Sequence, residues 1–301
     1  MKYVYSLLYF LLFSGSFAAG ADFRVCTYSL LNYSAQNEDG RTPRFKMILD
    51  TLQPDILVVQ DIGDENSAFK FFTEALDPNL WSLSPYDDGP DTDNMLYFKI
   101  EDLSFLDVRY HATASRNIAE YRLWIKSTGD TLHVVSVHLT SGNTAEDETA
   151  RMAEVQVLQS RLLEIVSGDL DAKILVCGDY NFYGTTELGY MRLMMSATSV
   201  LIDPVNGWVR NDESNAKLYT QSTRMTADGA CGGGDNGGLD DRFDMILFNY
   251  VMQDNYVADS YTAFGNDGQN RLNSSINDPA NTLVSPELAE ALRCASDRSE
   301  E

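Results

Sequence analysis

The chain has 301 residues, with 22 Lys plus Arg against 45 Asp plus Glu, and a formal net charge of −23. Hydrophobic residues make up 44% and aromatics 11%, enough for a sizeable core, so a wholly disordered chain is excluded. So acidic a chain is a poor candidate for holding nucleic acid through a broad basic face, and three histidines and four cysteines leave little material for a zinc site.

Lys2 gives a short positive start, Val4 to Phe13 is an apolar run, and Ser14 to Ala21 is rich in small residues. This is the layout of a secretory signal peptide, and the run is too short to span a bilayer comfortably. The expected organisation is a signal peptide at 1–21 and one domain at 22–301. The processed chain is expected to be secreted or periplasmic and not to engage a membrane. Its oligomeric state is left open. Cys26, Cys177, Cys231 and Cys294 allow three pairings, among which sequence does not choose. Cys26 and Cys177 sit in apolar runs and read equally well as buried thiols outside any bridge.

In chain order, Phe23 to Leu31 reads as a strand. Arg44 to Leu52 reads as a helix, with Phe45, Ile48, Leu49 and Leu52 on one face and Pro54 stopping it. Asp55 to Val59 is the continuous apolar run of a strand buried on both faces. Asn66 to Leu76 is helix-like. Met95 to Phe98, Tyr121 to Ile125 and Leu132 to Leu139 are strand-like. Thr144 opens a long helix that Gly168 ends. Lys173 to Cys177 and Met245 to Phe248 are further buried strands. Strands that both alternate with helices and follow one another predict an α/β sandwich of sheets flanked by helices.

Polar signatures stand at the strand ends. Ile56-Leu57-Val58-Val59 delivers Gln60 and Asp61, Leu132 to Val137 delivers His138, and Ile174-Leu175-Val176-Cys177 delivers Gly178-Asp179-Tyr180-Asn181. Asp240-Asp241-Arg242-Phe243-Asp244 precedes Met245. Strand ends are where α/β scaffolds place ligand sites. Carboxylates and an amide around one pocket suit a hard, oxygen-preferring cation such as Mg²⁺. The loop Asp87 to Asp93 lacks the spacing of a calcium loop and reads as solvated. Gly229 to Gly238 has no phosphate-loop Lys and reads as a flexible turn or lid.

Taken in order, Pro54 to Asp61, Val137-His138-Leu139, Gly178 to Asn181 and Asp241 to Asp244 resemble the motifs of the endonuclease/exonuclease/phosphatase family. The tract Gly265 to Asn273 and on to Ser296-Asp297 looks like its exported bacterial branch. The resemblance implies a four-layer α/β/β/α sandwich of two packed mixed sheets flanked by helices. It further implies metal-assisted hydrolysis of a phosphate ester with Mg²⁺ (or Mn²⁺) as cofactor, and nucleic acid as one class of substrate. Asp179 would orient or deprotonate water, Asn181 would hold water or phosphate, and His138 would donate to phosphate or transfer a proton. Asp244 would orient a histidine near the C-terminus, Asp61 and Asp297 would serve the metal, and Arg242 and Arg298 would meet substrate phosphate. Arg44, Arg116 and Arg122 are further phosphate candidates.

The chain departs from the family pattern in four places. Ser29 stands where a metal-site Asn is usual, Asp61 where a Glu is usual, and Arg298 where the family ends in Ser-Asp-His. A closing strand is not found after Arg298. The expected function is therefore an exported, metal-dependent phosphodiesterase of reduced activity. The alternative is a non-catalytic relative that keeps the fold and a ligand pocket.

Overall fold

The computed structural model describes residues 22–35, 40–205, 207–220, 222–226, 231, 236–269 and 272–295. The leader at 1–21, Asp297 and Arg298 lie outside them, as do Arg271 and most of the Gly229 to Gly238 stretch. The elements in order are β1 (Val25–Tyr33), α1 (Thr42–Leu52), β2 (Ile56–Ile62), α2 (Glu65–Glu74), β3 (Trp81–Leu83), β4 (Asp93–Lys99), β5 (Leu103–His111), β6 (Ile118–Ile125), β7 (Asp130–His138), α3 (Ala145–Gly168), β8 (Lys173–Asp179), α4 (Leu188–Met195), β9 (Leu201–Ile202), β10 (Asp244–Asn249) and α5 (Pro286–Ala295). Among the described residues no helix is long and apolar enough to cross a membrane.

Two mixed sheets form, one ordered β1-β2-β4-β3 and one β5-β6-β7-β8-β10-β9. Three apolar clusters separate four layers. Phe45 and Ile48 of α1, Phe71 of α2 and Leu292 of α5 cover the outer face of the smaller sheet. Val155, Leu158 and Leu162 of α3, with Tyr190 and Leu193 of α4, cover the larger one. Val58, Leu96, Tyr121, Val134 and Cys177 fill the space between the sheets. Each buried apolar side chain contributes about 1.5–3 kcal/mol relative to exposure, so these three clusters dominate the stability. The continuous runs of β2 and β8 are buried on both faces because each lies between a helix layer and the opposite sheet.

The expected helices form with local support. Thr144 caps α3 in a reciprocal capping box with Asp147. Asp64 caps α2 by accepting from the Ser67 N–H. The structure adds β3, β5, β9, α4 and α5, which the periodicity leaves unassigned. It joins Cys231 to Cys294 in a disulfide and leaves Cys26 and Cys177 as thiols.

Candidate active site

β2, β7 and β8 end at one edge of the sandwich, and β10 begins there. Gly178 makes this possible. Its φ is +145°, and a Cβ there would lie 1.9 Å from the Val137 carbonyl oxygen, so only glycine lets β7 and β8 approach this closely. The parallel register then sets His138 beside Asp179, while the antiparallel pairing sets Asp244 beside Asp179. On the other sheet, an irregularity between Val59 and Ile62 breaks the ladder of β2, and Asp61 takes a positive φ of 64°. A bulge of this kind re-aims a side chain, here bringing Asp61 to His138.

The three expected residues form a line. His138 Nδ1 lies 3.2 Å from Asp61 Oδ1, and its Nε2 lies 3.6 Å from Asp179 Oδ2. Neither contact carries a well-aligned hydrogen bond, so both are contacts between charged or chargeable groups. Ser29 donates to Asp61 Oδ2 at 3.1 Å, and Thr92 donates to Asp61 Oδ1 at 2.6 Å. Arg116 stands behind Thr92, donating to its hydroxyl at 3.1 Å and pairing with Asp91 at 2.7 Å. Burial pushes the Asp61 carboxyl up, but the His138 imidazole, the Thr92 hydroxyl and Arg116 outweigh it and hold the group well below the usual carboxylate range.

Asp179 accepts the Asn181 backbone N–H at 3.1 Å, and Asn181 Nδ2 donates to the Leu139 carbonyl at 2.9 Å. Asn181 has φ 54°, so this loop is turned back on the end of β7. Buried Glu154 on α3 steadies the same segment by accepting from both the backbone N–H and the hydroxyl of Thr140. Asp240, Asp241 and Asp244 are buried nearby. Arg210 reaches Asp241 at 3.0 Å and Asp240 at 3.4 Å, and lies 4.6 Å over the Tyr183 ring.

Arg242 does not stand at the site. It is fully buried, forked onto Asp203 at 2.7 and 2.9 Å, and hydrogen-bonded to Tyr261 at 2.8 Å. Its charge serves a core ion pair and has no path to a solvent phosphate. Two further phosphate candidates are also engaged elsewhere: Arg44 donates to the Cys231 carbonyl and Arg122 pairs with Asp107. The acidic loop is not wholly solvated either. Asp93 is buried, receiving the Tyr86 hydroxyl at 2.5 Å and the Gly89 N–H at 2.9 Å. Thr92 turns inward to Asp61. Thr92, Arg210 and Tyr183 are the site residues that sequence reasoning misses. The only signal for them is proximity in sequence to the strand-end motifs.

The donor set fits a hard divalent cation. Asp61 is a buried carboxylate held well below the usual carboxylate range, with the Ser29 and Thr92 hydroxyls as oxygen neighbours and the His138 imidazole on its other side. The fit is at the Asp61 end, because the His138 ring stands between Asp61 and Asp179. Among the described residues, the one group of potential ligand atoms lying closely together is Cys231, Glu290 and Cys294, and its sulfurs are spent in the disulfide.

The chain is similar to TDP2 from Caenorhabditis elegans, with TM-score 0.55 and 17% identity over 77% of this chain and 67% of that one. It is similar to the human nocturnin catalytic domain with bound sulfate, with TM-score 0.52 and 19% identity over 76% and 85%. It is also similar to a mannosyl-6-phosphatase from Bacteroides thetaiotaomicron, with TM-score 0.52 and 16% identity over 75% and 85%. An endonuclease/exonuclease/phosphatase family protein from the same bacterium gives TM-score 0.52 at 16% identity. The chain therefore has the endonuclease/exonuclease/phosphatase fold. No protein-family model matches it, and no curated protein matches it in sequence.

Proposed function

We propose that this chain is an exported, divalent-metal-dependent phosphoesterase that hydrolyses a phosphodiester at the Asp61–His138–Asp179 edge. The observation that carries the reading is the convergence of these three buried side chains, from β2, β7 and β8, at one strand-end site. The fold shared with TDP2, nocturnin and a mannosyl-6-phosphatase supports phosphate-ester chemistry as a class.

Asp61 and Ser29 would hold Mg²⁺ or Mn²⁺. When bound, the ion supplies charge neutralisation and polarisation of a phosphoryl oxygen. Asp179 Oδ2 accepts the proton of the attacking water, with its other oxygen fixed by the Asn181 N–H. His138 Nε2 donates to a non-bridging phosphate oxygen. Arg116 offsets negative charge at the Asp61 end. Asp244, paired in register with Asp179, contributes to the same acidic edge.

A second reading, a non-catalytic relative that retains the fold, is favoured by one observation. The Asp61 carboxylate already holds Ser29 and Thr92 and faces His138, which leaves less of it for a cation. One experiment separates the two. The processed chain and its S29N/D61E/R298H variant are assayed with Mg²⁺ and Mn²⁺ on DNA, RNA, bis-p-nitrophenyl phosphate, phospholipid and a sugar phosphate. Metal-dependent hydrolysis that rises in the variant supports the enzyme. Its absence in both proteins on every substrate sinks it.

A further inference from the structure

Asp61 belongs to the smaller sheet, and His138 and Asp179 belong to the larger one. Their separation therefore depends on how the two sheets sit on each other. The space between the sheets is filled mainly by apolar side chains, among them Val58, Leu96, Tyr121 and Val134. Apolar burial is non-directional, so it specifies the slide of one sheet over the other less sharply than directional bonds do.

Next to the site residues that space is polar. Gln60, Ser136 and Asn94 are buried and come from β2, β7 and β4. Thr27 Oγ1 donates to Gln60 Oε1 at 3.3 Å, Gln60 Nε2 donates to Ser136 Oγ at 3.2 Å, and Ser136 Oγ donates to Asn94 Oδ1 at 3.0 Å. Asn94 Nδ2 then donates to the Asn117 carbonyl at 2.9 Å. Chemistry fixes the direction of this chain of bonds. The Asn117 carbonyl can only accept, so Asn94 presents its NH₂ there and its Oδ1 to Ser136. Ser136 has one proton, which goes to Asn94, so it accepts from Gln60, and Gln60 in turn accepts from Thr27. A slip by one partner would leave a buried donor or acceptor unpaired.

We propose that this chain of hydrogen bonds between the sheets positions Asp61 against His138 for hydrolysis, with Gln60, Ser136 and Asn94 as positioning residues; the proposal rests on the phosphoesterase reading of the site. Placement carries it. Gln60 immediately precedes Asp61, Ser136 stands two residues before His138, and Asn94 two residues after Thr92. Thr92 donates to Asp61 Oδ1 at 2.6 Å. The backbone from Gln60 to Asp61 and from Thr92 to Asn94 thus closes a ring that passes through both sheets. Asp61 and His138 meet at 3.2 Å without a well-aligned hydrogen bond, so their contact does not hold itself and takes its geometry from the ring. A displacement of about 1 Å between reacting groups costs about a hundredfold in rate.

The three histidines of the chain supply the readout. His111 and His133 both contact Glu120 and serve as internal references for His138. The full chain and its S136A, T27V and V134A variants carry isotope-labelled histidine, and the ring-nitrogen resonances are recorded at one pH in chelator. T27V is isosteric at a half-buried position and decides the matter if S136A does not fold. V134A removes apolar packing from the same strand and the same space while leaving every bond of the chain in place. S136A, and T27V in smaller measure, should move the His138 signals and leave those of His111 and His133. V134A should leave all three, although its urea midpoint falls. With Mg²⁺ and a phosphodiester, S136A should lose about a hundredfold in kcat with KM nearly unchanged. Equal movement at all three histidines, none at His138, the same movement at His138 in V134A, or an unchanged kcat in S136A would overturn the proposal. The resonances are read without substrate, so an absence of hydrolysis in every protein counts against the phosphoesterase reading alone.

Discussion

Under α3, the Glu120 carboxylate receives Arg161 at 2.6 and 3.1 Å, His111 at 3.1 Å and His133 at 3.0 Å. The four groups come from β5, β6, β7 and α3, and they close on one another. At the strand ends the proportions are reversed. Asp61 and Asp179 flank a single imidazole, His138, with Asp244 in register beside Asp179 and with Asp240 and Asp241 buried against Arg210. The same residue types therefore serve two ends. A carboxylate surrounded by cations knits a helix to a sheet. Carboxylates gathered at one edge concentrate negative charge there, and stability bears the cost.

Substitutions can break this comparison, beginning with the largest effect. D179N should lower metal-dependent hydrolysis by about a thousandfold, within the range of lost acid–base catalysis, while the urea midpoint stays nearly fixed. A comparable loss of stability would show that Asp179 belongs with the knitting residues. R242M should do the reverse, costing about 3 kcal/mol or more of unfolding free energy because Asp203 is left buried and uncompensated. Hydrolysis per folded molecule should be unchanged; a rise in KM alone would return Arg242 to the substrate.

E120Q should cost about 2–3 kcal/mol, less than a fully buried pair because Arg161 and both imidazoles retain some solvent contact. It should also alter the acid limb. Burial pushes the Glu120 carboxyl up, but His111, His133 and Arg161 outweigh it and hold it far below the ordinary value of 4.5. A depressed carboxyl contributes stability that is full above its unfolded pKa and is lost as pH falls towards its folded one. Native stability should therefore fall from about pH 5 downward, and E120Q should flatten that fall in pH-dependent denaturation. The smallest effect is expected from S29A, which removes one hydroxyl from Asp61. It should shift the Mg²⁺ midpoint by a few-fold, about 1 kcal/mol or less, in thermal-shift titration, without changing unfolding in chelator.

Sequence legibility follows the same division. The buried strands of β2 and β8 are readable because burial on both faces demands continuous apolar runs, and their ends then locate Asp61 and Asp179. β5 is not, because an irregularity between Phe105 and Asp107 shifts its phase. Leu103 and Phe105 face inward before it and Val108 and Tyr110 after it, so no single alternation spans the strand. α5 hides its apolar stripe in Ala289, Ala291 and Ala295. Arg242 is misread because composition gives a charge but not the side to which the chain turns it. Thr92 and Asp93 are missed for the related reason that an acidic loop looks solvated until Tyr86 and Asp61 are seen to draw it inward.

Gly178 places a limit on how this protein can change. With no side chain between β7 and β8, the separation of His138 and Asp179 is set by two backbones in contact rather than by packing that substitution could retune. A new substrate cannot be accommodated by widening that span. Variation in what is recognised must come from the segments around it, the Tyr86 to Thr92 loop, the Phe182 to Glu187 turn and the stretch carrying Arg210, while the central distance is inherited unaltered.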